Sequence, residues 1–200
     1  MQIRKSLFVV TLLVASLGFS ALAAGTPITD HTVVYIDFSG PEGQAIESVW
    51  DEVSGLEAMA VQVAPTRLVY GPVNPFTQRG SAFFENPNTG NGDGSYLYIA
   101  DHPVIDFADL NALTLEMFVR PESIKLAVLL RKTQPGGEDG YLLTMDAEGR
   151  LIFQMQSPYE RKQIRTGPGA LREGEWAHVA ATWDGHDMRI YVNGEEMASG

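Results

Sequence analysis

The sequence predicts an all-β protein built as an antiparallel β-sandwich. Three observations carry this reading. Beyond the N-terminus the hydrophobic period is two rather than 3.6; the candidate strands are short and end at Gly, Asn, Asp or Pro; and the clearest of them are joined by hairpin-length connections.

The chain opens on an export signal. Arg4 and Lys5 precede an apolar run from Leu7 to Leu17, which ends in the small residues Ser20-Ala21-Leu22-Ala23-Ala24. Cleavage after Ala23 places Ala21 and Ala23 at the two small-residue positions. An uncleaved anchor is the competing reading, but the apolar run is short for a bilayer span. No cysteine follows the run, so a lipid-anchored precursor is excluded, and no later stretch is long and apolar enough for a membrane span. The expected product is one domain, residues 24–200, that is secreted, periplasmic or held at the cell surface, with bacterial export the natural context.

Composition narrows the function classes. Taking the two basic residues of the signal from the 14 in the chain leaves 12 against 25 acidic ones, a balance of −13. That surface repels phosphate backbones and argues against nucleic acid as a partner. With no cysteine, an exported domain is held by its core, and thiol chemistry and cysteine metal clusters are excluded.

In chain order, Thr32 to Phe38 is β-rich and stops at Ser39-Gly40-Pro41. Residues 42–75 are less regular. Ile46, Val49, Trp50 and Val53 have helical spacing, but Gly43 and Gly55 bracket them closely, so a short helix and an irregular loop with one packed tryptophan fit equally well. Ser81 to Glu85 is a short strand, Asn86 to Gly94 a loop, and Tyr96 to Ile99 a further strand. Leu113, Leu115, Met117 and Val119 alternate with Thr114, Glu116, Phe118 and Arg120 up to Pro121, the pattern of a half-buried strand. Gly140–Met145 meets Arg150–Met155 across Asp146 to Gly149, and Trp176–Trp183 meets Met188–Val192 across Asp184 to Asp187. Asn193-Gly194 opens another tight turn, since both residues tolerate positive φ.

The segment Gly174-Glu175-Trp176-Ala177-His178-Val179-Ala180-Ala181-Thr182-Trp183-Asp184-Gly185, followed by Met188 to Gly194, resembles the signature of the laminin-G-like, concanavalin A-like lectin/glucanase jelly roll. Leu113 to Pro121, Gly94 to Asp101 and Val34 to Phe38 are similar to other strands of that family. The resemblance spans residues 32–200, weakly over 42–80. It implies a concanavalin A-like antiparallel β-sandwich that binds rather than catalyses. Small residues between large ones suit a strand pressed between two surfaces, so Trp176, His178, Val179, Trp183 and Tyr191 are expected as core, with His178 hydrogen-bonded in place. The family continues past the Asn-Gly hairpin with further strands, which leads to the expectation that C-terminal strands are missing from this chain.

No catalytic signature emerges. Sandwich glucanases carry E-x-D-x-x-E or a close variant, and Asp51-Glu52 with Glu57 has the wrong spacing. There is no G-x-S-x-G elbow, H-E-x-x-H pair or phosphate loop, and His31, His102, His178 and His186 are scattered singly. Calcium is the cofactor that the oxygen-rich loop ending in Asp93 would suit, with Asp37 as a further ligand, since the family often holds calcium at a sheet rim. Tyr159, with Arg161 beside it, is the best candidate for contacting a sugar. The reading that results is a non-catalytic exported binding module, for glycan or for a cell-surface protein. The alternatives are a structural or adhesive protein-binding module and an accessory domain of a glycoside hydrolase whose catalytic part lies outside this chain.

Overall fold

The computed structural model describes residues 13–15, 32–63, 66–85, 94–106, 112–133, 140–157 and 159–200. Among these residues the chain is all-β, as expected, with one 3-10 turn at Pro103–Ile105. A six-stranded antiparallel sheet runs β15 (Glu195–Ser199), β14 (Met188–Val192), β13 (Ala177–Trp183), β8 (Leu113–Val119), β1 (Leu13–Ala15), β2 (Thr32–Tyr35). A four-stranded sheet runs β12 (Arg161–Arg165), β11 (Leu151–Gln156), β10 (Gly140–Met145), β9 (Ala127–Thr133). Two smaller sheets complete the sandwich: β3 (Ser48–Trp50), β4 (Glu57–Val61) and β7 (Tyr96–Ile99); and β5 (Arg67–Gly71) with β6 (Ser81–Glu85).

Alternation places the core. On β8, Leu113, Leu115, Met117 and Val119 are buried while the residues between them are half-exposed. Tyr141, Leu143 and Met145 on β10 face inward with Leu151, Phe153 and Met155 on β11. These residues join Val34, Val49, Leu68, Phe84, Val179 and Ile190 in one cluster drawn from all four sheets. Each large apolar side chain buried there contributes about 2 kcal/mol. The two expected hairpins form in the expected register, Met145 opposite Leu151 and Trp183 opposite Met188. In the first, the Asp146 carboxylate accepts from the N–H groups of Glu148 and Arg150, and Gly149 supplies the left-handed residue with φ 71°.

Residues 42–61 contain no helix. Ile46 and Val49 are buried, but Val49 does so as the inward residue of β3, which turns Trp50 outward to 61% exposure. The tryptophan expected to pack is therefore a surface residue. The isolated bridges Ile36–Asp51 and Ala45–Val69 hold this segment against β2 and β5.

β1 lies inside the apolar run read as an export signal, and it fills the place between β8 and β2. Leu13 pairs with Glu116 on one side and Tyr35 on the other; Val14 pairs with Leu115 and Val34. An apolar, β-prone run satisfies the requirements of both a signal core and a strand set between two others.

Candidate functional site

The four-stranded sheet presents its second face away from the core, and strand register determines which residues share it. Across β12, β11 and β10 the first row is Arg161, Gln156 and Gly140. The next row, reaching β9, is Gln163, Gln154, Leu142 and Arg131, and the third is Arg165, Ile152, Thr144 and Val128. No Asp or Glu stands at any of these positions, although the chain carries 25 acidic residues and a net charge of −11.

The polar groups of this face are ordered by one another. Arg161 Nη2 donates to Gln154 Oε1 at 2.5 Å, and Gln154 Nε2 donates to Gln156 Oε1 at 3.3 Å. Gln154 is only 6% exposed despite facing away from the core. Amides and guanidinium groups held this way offer fixed donors and acceptors to a polar ligand without a large entropic cost.

Tyr159 stands at the border of the face, in the β11–β12 connection, beside the row that holds Arg161 and Gln156. Ser157 Oγ accepts from the N–H groups of Tyr159 and Glu160 at 3.3 and 3.1 Å, and Ser157 N–H donates to Glu160 O at 2.8 Å. This turn holds the Tyr159 ring outward at 97% exposure. The two sequence-predicted sugar contacts, Tyr159 and Arg161, are thus brought to one surface. Gln154, Gln156, Gln163, Arg131 and Arg165 were missed, although the alternation Arg161-x-Gln163-x-Arg165 is a visible signal for a polar strand face.

The other sequence-predicted residues divide. Asp37 is 8% exposed at its side chain and is engaged by the Arg79 guanidinium, so a cation at that carboxylate would have to displace an arginine. Asp93 lies outside the described residues. Among the described residues no group of three or more His, Asp or Glu side chains is placed to hold a metal ion. Val179 is fully buried and Trp183 packs against the core. The core expectation for Trp176, His178 and Tyr191 is corrected: each is half-exposed. Trp176 precedes the strand, while His178 and Tyr191 fall between the inward residues Ala177 and Val179, and Ile190 and Val192. The hydrogen bond expected for His178 is present, to Glu116 at 2.6 Å.

A second exposed surface belongs to the three-stranded sheet. Trp50, Met59, Tyr96 and Tyr98 all face solvent there, with Met59 directly opposite Tyr98. Sequence reading did not find it, because β3 and β4 lie in the segment with no clear period.

The described strands, their antiparallel pairing and the single core define a jelly-roll β-sandwich with a polar outer face on its four-stranded sheet. The profile of the concanavalin A-like lectin/glucanases superfamily (Laminin G 3) matches residues 91–200, and the chain belongs to this family. Among solved structures, the chain is similar to an S-layer domain-containing protein (residues 221–444) from Clostridium thermocellum. The identity is 21% and the TM-score 0.42, over 84% of this chain and 71% of that one. Among curated protein sequences, none matches this chain. No helix among the described residues is long and apolar enough to cross a membrane.

Proposed function

We propose that this chain is an exported, non-catalytic carbohydrate-binding module that lays a polysaccharide across the outer face of β9–β12. The single observation that carries the reading is the composition of that face: glutamine amides and guanidinium groups on adjacent strands, bordered by the outward ring of Tyr159 and free of carboxylates at its described positions. Planar amides and guanidinium groups pair with sugar hydroxyls, and an exposed ring offers a stacking surface. Glycoside cleavage would need a pair of carboxyl groups flanking the bond, about 5–10 Å apart, and none stands at the described positions of this face.

Binding of the full chain to an array of plant, algal and host glycans tests the reading. Retention on a subset, weakened by Gln163→Ala and Tyr159→Ala without a change in melting temperature, supports it. Absence of binding to every glycan overturns it. Cell fractionation with detection of the new N-terminus tests export and cleavage after Ala23.

A second reading, an adhesive module that binds protein, is favoured by the exposed aromatic surface of Trp50, Tyr96 and Tyr98. Under that reading Trp50→Ala weakens adhesion to protein-coated surfaces, while Gln163→Ala has no effect.

A further inference from the structure

We infer that the ligand of the β9–β12 face is a polyanionic polysaccharide, one bearing carboxylate or sulfate groups along its chain; this rests on the glycan reading above. The argument starts from how the arginines are compensated. Arg67, Arg79, Arg120, Arg150, Arg172 and Arg189 each lie in ion-pair contact with a carboxylate. Among the described residues no carboxylate pairs with Arg161 or Arg165. The hydrogen bond of Arg161 goes to the neutral amide of Gln154, which orients the guanidinium and leaves its charge intact. In a chain of net charge −11, where acidic partners are plentiful, these two guanidinium groups stand without a carboxylate partner among the described residues.

Spacing then separates a polymer from a small anion. Arg161 and Arg165 stand on one side of β12 four residues apart, which the strand rise makes about 13 Å. A single carboxylate or sulfate reaches one of the two, whereas a chain with repeated anions engages both at once and gains from multivalency. Gln163 lies between the two charges with Gln154 opposite it on β11, where the amides meet the uncharged hydroxyls of such a chain. Each charge-assisted contact is worth about a tenfold change in affinity.

Affinity electrophoresis of the full chain in gels containing dextran, polygalacturonate, dextran sulfate or single-stranded DNA tests this. The expected result is retardation by polygalacturonate or dextran sulfate and none by dextran. Arg161→Gln and Arg165→Gln each weaken it about tenfold with the melting temperature unchanged, and sodium chloride abolishes it. Which of the two anionic polymers retards the chain identifies the group as carboxylate or sulfate. Retardation by dextran that is equal and insensitive to both substitutions overturns the charge assignment and leaves the glycan reading standing. Equal retardation by DNA overturns polysaccharide recognition in favour of a generic polyanion surface. No retardation by any polysaccharide overturns the glycan reading and this inference with it.

Discussion

His178 Nε2 lies 2.6 Å from Glu116 Oε1, tying β13 to β8 on the face of the six-stranded sheet that looks away from the core. The imidazole also leans on the Phe118 ring, with centroids 4.8 Å apart. His178→Ala is expected to cost about 1 kcal/mol, the value of one part-exposed hydrogen bond and some ring contact. Leu115→Ala, from the opposite face of the neighbouring strand, is expected to cost about 3 kcal/mol. Urea unfolding of both variants checks the contrast; equal losses would return His178 to the core.

The environment of Asp51 is structural. It is 2% exposed, and its carboxylate accepts from the backbone N–H of Tyr35 at 2.6 Å, of Val53 at 3.1 Å and of Ser54 at 2.6 Å. Removing it strands several donors, one of them in the interior. Asp51→Ala is expected to destabilise the fold by about 3 kcal/mol, and Asp51→Asn, which keeps one carbonyl oxygen, by about half as much. Denaturant midpoints of the two variants, compared at constant m-value, test the ordering.

Burial pushes the Tyr141 phenol up to about 12, with its hydroxyl 3.3 Å from Ile105 O. Its folded pKa thus lies above the unfolded value near 10. As pH rises the unfolded chain loses this proton first, so the associated stability is fully present below about pH 10 and disappears as pH approaches 12. The loss amounts to about 2–3 kcal/mol over that interval. Tyr141→Phe is expected to flatten that part of the alkaline decline, read from urea midpoints at stepped pH. An unchanged slope would mean that the phenol ionises equally easily in both states.

Removal of residues 1–23 takes β1 out from between β8 and β2. Its pairs, Leu13 with Glu116 and Tyr35, and Val14 with Leu115 and Val34, then leave two strand edges without partners. A chain beginning at Ala24 is expected to melt lower and to lose amide protection along β2 and the facing edge of β8, as seen by hydrogen exchange. Equal protection in both forms would show that β1 contributes nothing to the sheet.

Much of the fold was legible because strand alternation is a local property. Leu113 to Val119, the 146–149 and 184–187 turns and the Asn193-Gly194 turn announce themselves in short windows, and the structure places them in the register that the turns dictate. Residues 42–61 were not legible for a related reason. β3 and β4 are three and five residues long, too short for a period to emerge, and the glycines at 43 and 55 imitate helix ends while adopting φ of 83° and 69° in turns.

The sequence by itself determined an all-β sandwich with a signal-like N-terminus, its hairpins, and two residues, Tyr159 and Arg161, that belong to the surface proposed above to meet a ligand. Alternation states that a strand has two faces. It does not state which one meets the second layer, and so His178 and Tyr191 were expected inside. Only tertiary structure set that choice, because the inward side is decided by which row of side chains fills the common core. The same holds for the outer face of β9–β12. Gln154, Gln163, Arg165 and Arg131 come from three strands spread over residues 131–165, and pairing register brings them into adjoining rows.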